Sequence, residues 1–245
     1  MKGTERMQTS ASSAQAMGCH PSERGVLLAA AISGIFYFIL AWARPPDGPP
    51  VEAATPAEIR AFLSEHGTAL RLGALVGALA IPTVLVFTVC VARLVRRRLP
   101  GSVLADLIIG GGVLVAVLHW LLAATVGMTL VQALDGTDLA TVDDATLRSW
   151  YGLSNLSHFF FDLGMAPVAV VMVASSVAGL RAAFLPRWLS WLGLVFGVAG
   201  ALGTGGVAVA WKPLALPWVG GLYGWVLWTL LVGVTLGLRW RRTGR

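Results

Sequence analysis

LGALVGALAIPTVLVFTVCVARLVRRR, residues 72–98, decides the architecture. Leu72–Ala92 carries no charge, and a run of roughly 20 apolar residues crosses the hydrocarbon core as one helix. Arg93, Arg96, Arg97 and Arg98 then close it. Five more long apolar runs follow the same length rule: Gly25–Ala43, Val103–Val131, Leu153–Leu180, Trp188–Ala210 and Trp218–Leu238. Charged residues make up 12% of the 245-residue chain, about half the share of a soluble domain. The expectation is an all-α polytopic bundle of six transmembrane helices over residues 25–240. A polar, Ser-rich, disordered tail (1–24) precedes it, with Met17 as an alternative start, and a basic tail (241–245) follows.

The position of the charges orients the bundle. Lys2, Arg6, Arg24, Arg93, Arg96–Arg98, Arg181, Arg187, Arg239, Arg241, Arg242 and Arg245 fall on one side of the alternating spans. Only Arg44, Arg60, Arg71, Arg148 and Lys212 fall on the other. Basic residues favour the cytoplasmic side, so both termini are expected there, in a cell inner (plasma) membrane. The same distribution accounts for the net charge of +6 and removes nucleic acid as a partner. The bilayer is the partner expected. Ala41-Trp42-Ala43 imitates a signal-peptide cleavage site, but the leader is long and Trp42 is bulky, so the first run is read as a retained span. Cys19 and Cys90 both fall on the reducing side and predict no disulfide.

Punctuation between the runs is specific. Thr55-Pro56-Ala57-Glu58 has an N-cap Thr, Pro at the first helical position and a capping-box Glu. Ile59, Phe62 and Leu63 follow on one face. This predicts a short amphipathic helix, 56–66, lying on the outer membrane surface and ended or bent by Gly67. Arg98-Leu99-Pro100 and Phe184-Leu185-Pro186-Arg187 make similar turns at the inner ends. Gly73/Gly77, Gly193/Gly197, Gly220/Gly224 and Gly233/Gly237 are spaced for close helix contact within the subunit. No motif specifies an oligomeric state.

The third and fourth runs hold the candidate chemistry. His119 and Asp162 each lie about twelve residues from the outer end of an antiparallel span, hence at equal depth. A lone Asp at a helix centre costs about 2.5–3.5 kcal/mol on insertion scales, which favours a partner, a wet cavity or a protonated carboxyl. Ser154, His158 and Asp162 form one stripe at intervals of four, with Asn155 beside it. Pro167 cannot bond the carbonyl of Leu163, so a backbone acceptor is freed next to Asp162. Three arrangements remain open: polar glue between two helices, a proton-transfer or ligand site, or two residues that never meet. Trp120, Tyr223, Trp225, Trp228 and Phe159–Phe161 share the outer half. Turned inward they would wall an apolar pocket able to hold a cation; turned outward or packed together they are bulk.

Other features are plainer. Asp106 lies in the first turn of the third span near Arg96–Arg98, as a surface ion pair and helix-dipole partner. Glu65-His66 lacks further ligands, no cysteine has metal-ligand spacing, and no metal site is expected. No phosphate-binding, dinucleotide-binding, H-E-x-x-H or C-x-x-C motif occurs, and no cofactor is expected.

Gly152-Leu153-Ser154-Asn155 and then Leu185-Pro186-Arg187-Trp188-Leu189-Ser190-Trp191-Leu192-Gly193 resemble the DUF4386-like integral membrane proteins of high-GC bacteria, across most of residues 25–240. That resemblance implies a six-helix fold and no defined activity. The family usually has apolar residues where His158 and Asp162 stand here. In size and apolar character the chain is also similar to small membrane-bound terpene cyclases, without a shared motif.

The leading functional expectation is a lipophilic small-molecule site between the third, fourth and sixth spans. Asp162 would give or take the proton, His119 would be its partner, and His158 would lie nearer the surface. Ser154, Asn155, Trp120, Tyr223, Trp225 and Trp228 would line the site. Acid-base chemistry such as cyclisation or isomerisation fits such a site. A proton-coupled transporter and a non-catalytic membrane subunit are the alternatives.

Overall fold

The computed structural model describes residues 21–42, 54–122, 125, 135–208 and 212–243. It is 88% helical, with no strand among the described residues. The elements are α1 (Pro21–Trp42), α2 (Pro56–Arg98) and α3 (Leu104–Leu114), which runs on as a π-helical segment, Val115–Leu122. Then come α4 (Asp144–Leu163), α5 (Met165–Ala182), α6 (Arg187–Ala208) and, after a 3-10 turn, α7 (Ala215–Arg242). Among the described residues, six helical stretches are long and apolar enough to cross a membrane, α4 and α5 together making the fourth. Most of the expected polar tail, the outer end of the expected third span (123, 124 and 126–131) and the last two residues of the fifth lie outside the described residues.

The spans close into a ring in chain order. Each packs on its sequence neighbours, α3 meets α5, and α7 returns to α1, while α5 also touches α2 and α7. Small residues make these contacts close. Gly233 lies against Ala31 and Gly34 of α1, and Gly237 against Ala31. Gly193 faces Ser176 and Trp228, and Gly197 faces Met172 and Val173 of α5. Two of the G-x-x-x-G pairs therefore pack inside the subunit, since without a hydrophobic drive close backbone approach supplies the attraction. In a third pair Gly224 faces Phe196, but Gly220 meets open space.

The basic residues gather at one end of the ring. Arg98 reaches Glu23, Arg96 pairs with Asp106, and Arg239 donates to the carbonyl of Ala183. The start of α1 and the end of α7 therefore share that end. The Leu185-Pro186-Arg187 turn is a packing device: Phe184 and Leu185 are buried, and the Pro186 carbonyl accepts from the amides of Leu189 and Ser190 as α6 begins. Trp188 and Trp191 point outward, 57% and 60% exposed.

One expectation changes at the opposite end. Residues 56–66 are helical and capped as the sequence predicts: Glu58 Oε2 accepts from the Thr55 amide at 2.8 Å, and Thr55 Oγ1 from the Glu58 amide at 3.3 Å. They are not a separate helix, however. α2 runs unbroken through Gly67 for 43 residues, about 65 Å at 1.5 Å per residue, against a hydrocarbon core of ~30 Å. Its first three turns pack beside the start of α4. Ile59 and Leu63 are buried with Leu147 and Tyr151 in a second small core. Arg60 ties the two together, donating to the carbonyls of Leu139 (3.1 Å) and Val142 (2.7 Å) and to Asp144 (2.8 Å). The apolar face that read as lipid-docking is covered by protein. The reason is that α4 starts at Asp144, capped by Asp143, well before the apolar run at Leu153, and so offers its own apolar stripe.

Candidate functional site

Two adjacent glycines set the position of α3. Gly111 rests on Val171 and the carbonyl of Pro167 in α5, and Gly112 rests on Thr88 of α2. A side chain at either position would push α3 away from both neighbours. Within one turn the helix widens into the π-helical segment Val115–Leu122, which carries His119 two turns past Gly112. Such segments re-aim side chains and are frequent at functional sites.

Opposite this segment, the fourth span changes helix. α4 ends at Leu163, Gly164 lies between, and α5 starts at Met165. Pro167, in the first turn of α5, has no N–H to offer the carbonyl of Leu163. Gly164 packs on the backbone and ring of His119, in nearly the same antiparallel register as the Gly111–Val171 contact. Two irregular helix segments thus meet face to face. From Leu104 at the basic end, His119 is about 22 Å along the helix at 1.5 Å per residue, which places it in the half of the bundle away from the basic end.

His119 is 1% exposed. Its Nδ1 lies 2.9 Å from the carbonyl oxygen of Phe161. A carbonyl only accepts, so Nδ1 carries hydrogen and Nε2 is the nitrogen that gains or loses the second proton. The ring lies on Phe161 with centroids 3.6 Å apart. Asp162 follows Phe161 in the last turn of α4 and is half-buried. The structure therefore brings His119 to the Phe161–Gly164 turn that contains Asp162. His158, one turn back, is exposed, as is Phe159. Ser154 and Asn155 lie on α4, and their side chains are outside the described residues.

The aromatic candidates divide. Trp120, Trp225 and Trp228 are buried, whereas Tyr223 is 46% exposed and lies against Trp42 of α1, with centroids 5.8 Å apart. The buried rings pack on one another. Phe161 and His119 lead to Trp120, Trp120 meets Tyr37 edge-on at 5.9 Å, and Tyr37 meets Trp225 at 5.7 Å. Trp225 stacks on Trp228 at 6.0 Å, and Phe87 stands edge-on to both. Two of their polar edges are satisfied from within: Trp225 Nε1 donates to Tyr37 Oη (2.8 Å) and Trp228 Nε1 to the Leu189 carbonyl (3.2 Å), whereas Trp120 Nε1 is buried without a hydrogen-bond partner. Tyr37 and Phe87 are the members that sequence reading missed. Their runs read as uniformly apolar, and only the ring closure of α1 on α7 brings Tyr37 to Trp225. The α3 contacts were missed as well; the run Gly110-Gly111-Gly112 is the sequence signal that could have found them.

Comparison with protein-family models, with curated proteins and with solved structures finds no match. Fold and composition define a polytopic helical membrane protein.

Proposed function

We propose that this protein is a proton-coupled carrier of a lipophilic small molecule in the plasma membrane, with its basic end in the cytoplasm. His119 and Asp162 bind and release the proton. The observation that carries this reading is the meeting of the π-helical segment at His119 with the helix change at Gly164. Irregular backbone at membrane depth is tolerated where it is buried in protein or lines a cavity, and carriers place coupling-ion sites at such interruptions. An ionisable pair there is functional by default. A carboxyl and an imidazole can each be neutral or charged, and the charge difference biases the packing of α3 against α4 and α5.

The packing of Trp120, Tyr37, Trp225 and Trp228 against one another gives no support to the cyclase- or isomerase-like reading, in which these tryptophans would line a substrate pocket. The DUF4386-like resemblance fits a six-helix carrier and adds no activity of its own. The test is proton movement in proteoliposomes loaded with a pH dye and challenged with a panel of lipophilic small molecules. At least one compound should move protons with the wild type and none with Asp162→Asn, although that variant inserts normally. Equal proton movement in both would remove Asp162 from the coupling site. Compound conversion without proton movement would restore the enzyme reading.

A further inference from the structure

The basic end holds a charge cluster that neither core packing nor the His119 site uses. Arg98 closes α2. Arg239 and Arg242 are neighbours one turn apart on α7, and the charges of Arg98 and Arg242 both bear on Arg239. Among the described residues one carboxylate answers them: Glu23 Oε1, at the start of α1, lies 3.4 Å from Arg98 Nη2. The other described acid at this end, Asp106, is taken by Arg96. Arg239 spends one N–H on the Ala183 carbonyl at 3.2 Å. Arg98 and Arg242 are exposed, so the cluster opens outward where α1, α2 and α7 meet the membrane edge. Arg24, next to Glu23, buries its Nε without a partner.

Three guanidinium groups within reach of one another repel unless anions offset them. Glu23 supplies one negative charge, and the C-terminal ends of α2 and α7 supply about half a charge each. Roughly one positive charge remains unanswered, which matches a phosphodiester. Guanidinium forks fit phosphate oxygens in pairs, and the cluster stands at headgroup level. We propose that the α1–α2–α7 corner at the basic end is a headgroup site for an anionic phospholipid, its phosphate held by Arg98, Arg239 and Arg242.

The test is lipid binding to the purified full chain in detergent, read by native mass spectrometry. Phosphatidylglycerol is compared with phosphatidylcholine of the same acyl chains. Phosphatidylglycerol should bind on the order of tenfold tighter or more. Arg242→Gln, an exposed change in the last turn, should weaken it about fivefold. Arg241→Gln, about 200° around the helix from Arg239, should leave it unchanged. Thermal unfolding without added lipid checks that Arg242→Gln remains folded, and Arg98→Gln repeats the test from α2. Equal binding of the two lipids would overturn the proposal. So would equal losses in the Arg241 and Arg242 variants, which would mean diffuse surface charge. Full competition by inorganic phosphate would also overturn it, because the ligand would then be free phosphate.

Discussion

A methyl group on Gly164 would stand 2.5 Å from the Cβ of His119 and 2.8 Å from its Nδ1. The two helices touch there because Gly164 has no side chain. Its backbone is otherwise ordinary, with φ −61°. Gly164→Ala should therefore destabilise the protein by about 1–3 kcal/mol through overpacking. Gly152, also on α4, meets nothing within 4 Å. Gly152→Ala should be neutral or stabilising, by up to about 1 kcal/mol. Thermal unfolding in detergent compares the two, and equal effects would deny the close contact.

Removing the imidazole should strand an acceptor. His119→Leu leaves the Phe161 carbonyl without its donor in a buried setting, which costs about 1–3 kcal/mol. If Asp162 and His119 share one polar network, Asp162→Leu combined with His119→Leu should cost less than the two single changes together. Membrane double-mutant cycles average about 0.6 kcal/mol of coupling, so repeat unfolding measurements must resolve that difference. Strict additivity would mean independent residues.

The spans and the gathering of arginines at one end were legible in the sequence, because apolar run length and charge position are one-dimensional signals. The Arg96–Asp106 pair was legible for the same reason, being local. The outer lobe was not. Ile59 and Leu63 read correctly as one apolar face, but what covers a face is a long-range fact, and Leu147 lies far along the chain. The π-helical segment at His119 leaves no periodic signature in a uniformly apolar run. The aromatic core was half legible: Trp225 and Trp228 were visible, but the choice between a pocket wall and a packed core depends on Tyr37 and Phe87 from other helices.

The lobe makes its own prediction. Leu147 is fully buried against Ile59 and Leu63. Leu147→Ala should cost about 2–5 kcal/mol of local stability. Hydrogen exchange should speed up in 56–66 and in 144–151 together, and not in α6 or α7. Acceleration confined to 144–151 would show that the two segments do not share a core.

The start of α4 should respond to acid. Asp143 accepts from the amides of Thr146 (2.9 Å) and Ala145 (3.1 Å), and these bonds hold its carboxyl below the usual carboxylate range, the Thr146 amide foremost. A depressed folded value means the stabilisation is fully present above the ordinary aspartate pKa and is lost as pH falls through the lower folded value. Exchange protection of the Ala145 and Thr146 amides, corrected for intrinsic rates, should fall over that acid range. Asp143→Asn keeps the cap and should flatten the dependence. An unchanged pH profile in that variant would assign the effect to another group.

The central claim is that the contact between the π-helical segment and the Gly164 turn holds a reversible proton. Infrared difference spectroscopy of the protein in lipid, titrated over roughly pH 5 to 8, tests it without knowledge of the substrate. The account predicts a carboxyl or imidazole band that rises and falls with pH. That band should be lost or displaced in both Asp162→Asn and His119→Leu, and be unaltered in Asp143→Asn. A titration indistinguishable among wild type, Asp162→Asn and His119→Leu would contradict it and leave His119 as interhelix glue.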